Sequence, residues 1–232
     1  SPENNDLCGM HPLRTITPTL EPTDDGSVTL RHPLLGDTYH SLRGAVGEAA
    51  HVYIANGLAA LPLNVVRILE VGFGSGLNAW LSLRYGEEHG LVIDYRTVER
   101  YPVDPDMAGR LGYTDDPRFV ALHRAPWNMP VPITDRFRLT KYDADLTAPD
   151  GAWEVGDYDL VYFDAFAPDT QPELWSEALF RRICARLAAG GMLVTYSAKG
   201  CVKQALRAAG LEVHRLPGAL GKHHMVRAVK PR

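Results

Sequence analysis

The stretch that decides the fold is Arg67-Ile-Leu-Glu-Val-Gly-Phe-Gly-Ser-Gly-Leu-Asn78. The residues before its first glycine form a short apolar run, which is typical of a buried parallel strand. The glycines, Gly72, Gly74 and Gly76, let the chain turn sharply and let backbone N–H groups approach a ligand. Residues 76–85 then have the pattern of a helix. A strand, a glycine-rich turn and a helix in this order predict the first unit of a nucleotide-binding α/β sheet.

Further along the chain, strand patterns alternate with helix patterns. We predict strands at 93–99, 137–143, 158–164, 192–197, 211–216 and 223–229, and helices at 101–111, 172–188 and 199–209. The helix at 172–188 is expected to stop at Gly190-Gly191, and the proline-rich residues 117–132 are expected to form a loop or a short insertion. The alternation predicts a doubly wound sheet that binds ligands at the carboxyl ends of its strands.

The length of 232 residues, 45% of them hydrophobic and 22% charged, suits one α/β domain with additions. We divide the chain into an N-terminal extension, residues 1–60, and a Rossmann-like domain that forms one compact unit, residues 61–232. The extension is predicted to contain a β-hairpin at residues 13–32, around the turn Asp24-Asp25-Gly26, and a helical segment at residues 44–61.

The composition also indicates where in the cell the protein is expected. No run approaches the ~20 apolar residues that a bilayer span needs, and residues 1–9 lack the features of a signal peptide. The cysteines Cys8, Cys184 and Cys201 are too far apart in sequence to indicate a disulfide scaffold or a zinc site. We therefore expect a cytoplasmic protein with no metal and no membrane contact.

Charge is distributed unevenly along the chain. The formal net charge is −4, yet residues 181–232 contain 11 Lys and Arg and one acid, Glu212. Such asymmetry allows one positive face that receives a polyanion, and it equally allows helix faces that are simply solvated. Basic residues of this region include Lys199, Lys203, Arg207 and the run Gly221-Lys-His-His224. His223 and His224 are adjacent and point to opposite faces of a strand, so we expect phosphate contacts or ordinary surface residues rather than metal ligands.

The glycine turn favours one kind of cofactor. It lacks the G-x-G-x-x-G spacing of dinucleotide sites, and no P-loop lysine follows it. Glu70, just before the first glycine, would repel a pyrophosphate but would tolerate the cationic S-adenosylmethionine. A tight turn without a ligand is the alternative. The predicted cofactor contacts of this turn are Glu70, Gly72, Gly74, Gly76 and Asn78.

Acidic residues follow three later strands. Glu99, 23 residues after Gly76, is placed to accept both hydroxyl protons of a ribose. Asp143 could accept from the amine of adenine, with Asp145 as its rival. Asp164, in the segment Phe163-Asp-Ala-Phe-Ala-Pro168, stands beside aromatic residues on a loop stiffened by proline. It could hold an amine or a base edge, or it could merely cap the loop.

The sequence resembles the methyltransferase domain of the tRNA 5-methylaminomethyl-2-thiouridine biosynthesis enzymes (MnmC/MnmD type). The resemblance covers about residues 14–229, and its most specific part is Asp164-x-Phe166-x-Pro168 with Pro172-Glu-Leu-Trp175. The other matching segments are Val71-Gly-Phe-Gly-Ser-Gly-Leu-Asn78, Val98-Glu-Arg-Tyr-Pro102, Gly191-Met-Leu-Val-Thr-Tyr-Ser197, Pro217-Gly with Gly221-Lys-His-His-Met225, Asp37-Thr-Tyr-His-Ser41, Gly44-Ala-Val-Gly-Glu48 and His51-Val-Tyr53.

The resemblance implies a seven-stranded class I S-adenosylmethionine-dependent methyltransferase fold, with its last strand antiparallel and a small N-terminal β-hairpin addition. It implies N-methylation of 5-aminomethyl-(2-thio)uridine at the wobble position of tRNA. No oxidase domain is expected in this chain, so another enzyme would supply the aminomethyl group. By position, the three glycines would border the cofactor, Glu99 would hold the ribose and Asp143 the adenine, and Asp164 would face the substrate amine.

We also predict substrate contacts at Tyr39, Phe166, Tyr196, Lys199 and Lys222, with Arg31 and Arg43 as further phosphate contacts. Two other functions stay open. One is a small-molecule N- or O-methyltransferase of the same fold, which the negative net charge favours slightly. The other is a non-catalytic tRNA-binding module, against which the glycine turn, Glu99 and Asp164 argue.

Overall fold

A computed structural model describes residues 15–40 and 44–232 of the chain. Its strands are β1 Thr19–Pro22, β2 Val28–Arg31, β3 Val65–Val71, β4 Val92–Glu99, β5 Pro130–Thr134, β6 Phe137–Asp143, β7 Tyr158–Phe163, β8 Leu187–Thr195, β9 Glu212–Pro217 and β10 His224–Val229. Its α-helices are α1 Ala45–Ala49, α2 Leu77–His89, α3 Ala108–Leu111, α4 Pro117–Arg124, α5 Glu177–Arg186 and α6 Gly200–Ala208. Cys8, Arg43 and the predicted start of the hairpin, residues 13–14, lie outside the described residues.

The sheet has the order β5-β6-β4-β3-β7-β8-β10-β9. Strands β6, β4, β3, β7 and β8 are parallel, whereas β10 runs antiparallel to β8 and to β9. The chain builds outward from β3 on one side and then resumes at β7 on the other, so the order reverses between β3 and β7. These features confirm the doubly wound sheet with an antiparallel last strand. The eighth strand is β5, which pairs antiparallel with β6 at one edge.

Apolar side chains explain why the central strands lie inside. Every residue of β7 is buried, because helices cover both faces of the sheet. Helix α2 begins after Gly76 and ends at Gly90, both with a left-handed backbone, and it buries Leu77, Trp80 and Leu83 against the sheet. Each such apolar side chain contributes about 1.5–3 kcal/mol on burial. This packing fixes the position of the glycine turn that joins β3 to α2.

The N-terminal extension shares its core with the sheet. Strands β1 and β2 form the predicted hairpin, with Thr19 opposite Arg31. Helix α1 continues as a π-helical segment, Ala50–Ala55, and Val52 and Tyr53 of this segment join the hydrophobic cluster that contains β3 residues. The division of the chain at residue 60 stays a prediction.

The expected loop at residues 117–132 is wrong. It contains helix α4, which begins at Pro117, and it leads into strand β5. The Asp116 side chain caps the helix by accepting a hydrogen bond from the Arg118 N–H, and proline is favoured at the first helical position. The sequence Asp-Pro was therefore a helix start rather than a loop signal.

Two predicted helices have different bounds. Residues 172–188 divide into a short 3₁₀ helix, Pro172–Trp175, and helix α5, which Ser176 caps by accepting from the Leu179 N–H. Helix α5 ends before Leu187, which already belongs to β8, so the two glycines at 190 and 191 lie inside a strand and stop nothing. Within the range 101–111, the helical part is confined to residues 105–111.

Candidate active site

A cleft of about 720 Å³ opens at the carboxyl ends of β3, β4 and β7. This is the crevice that the reversal of strand order predicts. Six of the predicted site residues line it, namely Tyr39, Gly72, Gly74, Glu99, Asp164 and Phe166.

The glycine turn forms the floor of the cleft. Gly72 has φ +88°, and a Cβ added there would lie 3.0 Å from the carbonyl oxygen of Asp164. Gly74 has φ +52°, and its Cβ would lie 2.7 Å from Cδ2 of Tyr39. No larger residue fits either position without moving a wall of the cleft. Gly76 does not line the cleft; it starts α2, and its Cβ would lie 2.9 Å from Nε2 of His123.

Glu99 joins two sides of the cleft. Its Oε2 accepts a hydrogen bond from the Gly74 N–H at 3.0 Å, and its Oε1 accepts one from the Tyr101 N–H at 2.9 Å. Burial raises the pKa of this carboxyl to about 7, although the backbone donors oppose that rise. A carboxylate offers about four acceptor positions, so Glu99 keeps capacity for two further donors such as ribose hydroxyls.

Asp145, rather than Asp143, lies on the cleft wall. Asp143 ends β6, and its backbone N–H donates to Oδ1 of Asn128. The Oδ1 of Asp145 accepts from the N–H and the hydroxyl of Thr147, and this turn aims the residue at the cleft. Asp145, the rival of the two candidates, therefore lines the cleft, and which of them contacts the adenine stays a prediction.

Glu70 does not contact the cleft. Its side chain has no exposed surface, and its Oε1 accepts a hydrogen bond from the Thr97 hydroxyl at 2.9 Å. Burial raises the pKa of Glu70 well above its ordinary value, although hydrogen bonds from Tyr95, Thr97 and Asn78 oppose that rise. Glu70 is therefore buried away from the cleft lining, and its contact with the cofactor stays a prediction.

Asp164 is held by side chains from three other segments. Its Oδ1 accepts a hydrogen bond from the Tyr53 hydroxyl at 2.9 Å, and its Oδ2 accepts one from Nδ2 of Asn78 at 2.8 Å. Nε2 of His40 lies 3.2 Å from the same Oδ2. Only 6% of the Asp164 side chain is exposed. The carboxylate is thus fixed in one orientation beside the glycine turn.

Asn78 was predicted to contact the cofactor, but it lies buried behind Asp164 and orients it. Tyr53 and His40 were not among the predicted site residues. Each of them lies in a segment that resembles the MnmC/MnmD-type enzymes, but the resemblance indicated no role for either residue.

The loop after β7 is anchored by aromatic residues. The Tyr196 hydroxyl donates to the carbonyl oxygen of Ala165 at 2.8 Å, and Nε1 of Trp175 donates to that of Phe166 at 2.8 Å. The rings of Phe166 and Tyr39 meet edge to face at 5.0 Å between centroids. Tyr196 therefore supports the loop instead of lining the cleft.

Lys199 and Lys222 lie on the rim. Lys199 pairs with Asp169 at 2.7 Å, and Lys222 pairs with Glu48 at 2.5 Å. Neither ammonium group reaches the cleft wall in this arrangement. Arg31, a predicted phosphate contact, pairs with Glu21 at 2.9 Å.

Within residues 15–40 and 44–232, no helix is both long and apolar enough to cross a membrane. The same part of the chain holds no group of three or more His, Cys, Asp or Glu side chains placed to bind a metal ion.

Comparisons with known proteins agree with this geometry. A family model described as an S-adenosyl-L-methionine-dependent methyltransferase matches residues 131–231. The tRNA 5-methylaminomethyl-2-thiouridine biosynthesis bifunctional protein MnmC of Ralstonia nicotianae is 34% identical over 239 residues, which cover 94% of this chain and 35% of that protein. The MnmC protein of Azoarcus sp. is 34% identical over 228 residues, which cover 91% of this chain and 35% of that protein.

The crystal structure of MnmC2 from Aquifex aeolicus superposes with a TM-score of 0.72 at 25% identity. The match covers 95% of this chain and 72% of that one. Over nearly all of its length, the chain is similar to one part of the MnmC proteins. The match to the family model and the superposition confirm the predicted fold class and the predicted cofactor, S-adenosylmethionine. The chain spans about a third of the length of the curated MnmC relatives it matches.

The residues of the cleft fit this cofactor. Gly72 and Gly74 line the cleft with bare backbone because neighbouring atoms leave no room for a Cβ at either position, and Glu99 keeps unused acceptor positions.

Proposed function

We propose that this chain uses S-adenosylmethionine to N-methylate 5-aminomethyl-(2-thio)uridine at the wobble position of tRNA, giving 5-methylaminomethyl-(2-thio)uridine. The observation that carries the proposal is the fixed carboxylate of Asp164, which stands beside the glycine turn in the cleft. The names of the MnmC relatives support the tRNA substrate. A reaction on tRNA would take place in the cytoplasm.

The cofactor end of the cleft consists of the glycine turn, Glu99 and Asp145. The backbone at Gly72 and Gly74 would border the cofactor, the carboxylate of Glu99 would accept from the ribose hydroxyls, and Asp145 would face the adenine amine. The bound cofactor supplies an electrophilic methyl group on a sulfonium.

The amine end consists of Asp164 and its neighbours. Two of the four acceptor positions of Asp164 are used by Tyr53 and Asn78, and His40 lies against a third. The position left on Oδ1 would accept an N–H of the substrate amine. This bond would hold the nitrogen in line with the methyl group, so that proximity lowers the barrier.

Aromatic rings at the mouth would support the base. Tyr39 and Phe166 line the cleft next to Asp164, and their rings pack edge to face. Stacking of a base on an aromatic ring is worth about 1–3 kcal/mol. A wobble uridine that leaves its stack would find such a surface here, whereas a small amine would gain nothing from it.

The basic C-terminal region provides a surface for phosphates. An open hollow beside β9 and β10 is lined by Arg215, His223 and His224. Because β10 runs antiparallel to β8 and β9, its start and the end of β9 lie at the carboxyl ends of the parallel strands, where the cleft also opens. We propose that this hollow receives the tRNA backbone. Binding that depends on phosphate contacts weakens steeply as salt is raised.

The test is methyl transfer to tRNA from cells that accumulate the unmethylated aminomethyl wobble uridine. The purified chain and S-adenosylmethionine are incubated with this tRNA, and nucleoside mass spectrometry follows the wobble base. The proposal expects that base to become one methyl group heavier, and tRNA without the aminomethyl group to stay unchanged. Transfer to free amines but not to tRNA would instead favour a small-molecule methyltransferase. Failure to bind S-adenosylmethionine would favour a non-catalytic module.

A further inference from the structure

His40 is a titratable group in the cleft wall to which the mechanism above assigns no chemical step. Its Nε2 lies 3.2 Å from Oδ2 of Asp164, and 5% of its side chain is exposed. Its backbone N–H donates to the Thr29 hydroxyl at 2.9 Å, which fixes the residue beneath the loop. Both ring nitrogens are buried, and neither has a hydrogen-bond partner of regular geometry among the residues that the structure describes, so Nε2 and Oδ2 are in close polar contact.

Charged groups from three elements face this imidazole. Asp164 follows β7, Glu48 lies on α1, and Lys222 precedes β10. Burial lowers the pKa of His40, but Asp164 and Glu48 raise it by more than burial and Lys222 lower it, so the pKa lies above its ordinary value. The neighbouring hydroxyls of Tyr53 and Tyr196 have pKa values raised by burial and stay neutral.

A lone carboxylate would be a poor partner for the substrate. A primary alkyl amine is mostly ammonium at pH 7, with a pKa near that of lysine, about 10.4. A nearby negative charge favours the ammonium further, and an ammonium has no lone pair to attack a methyl group. Asp164 by itself would therefore hold the substrate in its unreactive form.

We propose that His40 is a positioning residue that takes up, through Asp164, the proton that the substrate ammonium must lose before methyl transfer. The inference rests on the proposed function, because it needs an amine substrate at Asp164.

The reactive form of the pair is neutral His40, with its one ring proton on Nδ1 and a free lone pair on Nε2, beside the Asp164 carboxylate. One N–H bond of the substrate ammonium breaks, and its proton moves by way of the Asp164 carboxylate to Nε2 of His40, where a new N–H bond forms. The amine nitrogen keeps the electron pair, which makes it able to accept a methyl group. In that transfer the C–N bond would form as the bond between sulfur and the methyl carbon breaks, with that electron pair staying on sulfur, and the product would be a secondary ammonium. Imidazolium and carboxylate then form a neutral pair, which no longer favours the ammonium form of the substrate. His40 afterwards returns its proton to solvent through the cleft.

The first test compares pH–rate profiles of the wild type, His40→Gln and the control His89→Asn. His89 is exposed at the far end of α2, so its replacement removes an imidazole outside the cleft. We expect His40→Gln to lower kcat/KM at pH 7 by about 10²-fold and to recover towards the wild type as the pH rises, because solvent then removes the proton. Affinity for S-adenosylmethionine, measured by calorimetry, should not change. A loss that is equal at every pH, or no loss, would overturn the inference.

The second test needs no turnover. The imidazole of His40 is titrated by NMR in the full chain, in the wild type and in Asp164→Asn. We expect a midpoint above the ordinary ~6.5 in the wild type and a clearly lower midpoint in the variant. Equal midpoints would overturn the inference. If no variant and not even the wild type methylates the tRNA while the midpoints still differ, the proposed function has failed and the coupling of the two groups has not.

Discussion

The two ends of the cleft are built in different ways. The cofactor end is mainly backbone: the turn at Gly72 and Gly74, and Glu99, whose carboxyl accepts from two backbone N–H groups. The amine end is made of side chains, because Asp164 is held by Tyr53 and Asn78. On the proposed function, backbone geometry would fix where the cofactor binds, whereas a network of side chains would fix how the amine reacts. Changes at the first end should therefore affect binding, and changes at the second should affect turnover.

The largest effect on binding is expected from Gly72→Ala. Residue 72 has a left-handed backbone, and an added Cβ would cost about 1–2 kcal/mol in that conformation. The Cβ would also press on the carbonyl oxygen of Asp164. We expect the Kd for S-adenosylmethionine, measured by calorimetry, to rise about 100-fold, which corresponds to ~3 kcal/mol. The control is Gly90→Ala, which has the same backbone strain at φ +68° but open space around the Cβ. If both variants bind the cofactor equally well, the close approach at Gly72 is not what shapes the site.

A smaller effect is expected from Glu99→Gln. The uncharged amide is a weaker acceptor for the ribose hydroxyls than the carboxylate is. We expect the Kd for S-adenosylmethionine at pH 8 to rise about tenfold, equivalent to ~1.4 kcal/mol. This variant would sharpen the comparison, because turnover at saturating cofactor should stay near that of the wild type. An unchanged Kd would contradict the assignment of Glu99 to the ribose.

The same variant gives a stability test. Burial raises the pKa of Glu99 from 4.5 in the unfolded chain to about 7, so the folded protein favours the protonated form. The resulting stability is present in full below pH 4.5 and is lost as the pH rises through about 7. Glu99→Gln should therefore raise the melting temperature more at pH 8 than at pH 5. Thermal unfolding at both values checks this, and an equal change at both would contradict the burial argument.

The smallest effect is expected at the basic hollow. Arg215→Ala should raise the KM for tRNA a few-fold and lower the slope of log affinity against log salt by about 1, because one phosphate contact is lost. The control is Arg136→Ala, at the opposite edge of the sheet, where the side chain bonds the carbonyl oxygen of Gly90. Equal slopes for both variants would show that tRNA does not cross β9 and β10.

The sequence predicted the residues that line the glycine turn side of the cleft better than the contacts that hold Asp164, for a physical reason. Gly72, Gly74 and Glu99 follow directly from strand ends, where local patterns carry the information. Tyr53 and His40 approach Asp164 from distant parts of the chain, and only packing brings them together. No local pattern indicates such a contact.

The errors have physical causes as well. Central strands of this sheet are buried on both faces, so alternation along β3 does not tell which residues face the cleft, and Glu70 is buried away from the cleft lining. The sequence pattern does not fix the end of β6 to within two residues, so it does not distinguish Asp143 from Asp145 as the acid that lines the cleft. The prolines of residues 117–132 predict a loop, although a proline that follows a capping aspartate, as Pro117 does, also starts a helix.

The most direct test of the account measures methyl transfer and cofactor affinity together in Asp164→Asn. The substitution keeps the shape of the side chain and removes its charge. Asp169→Asn, on the same loop but exposed, is the matched control. We expect Asp164→Asn to methylate aminomethyl-uridine tRNA at least about 10²-fold more slowly than the wild type does, with an unchanged Kd for S-adenosylmethionine. A variant that methylates as fast as the wild type, or that loses the cofactor instead, would contradict it.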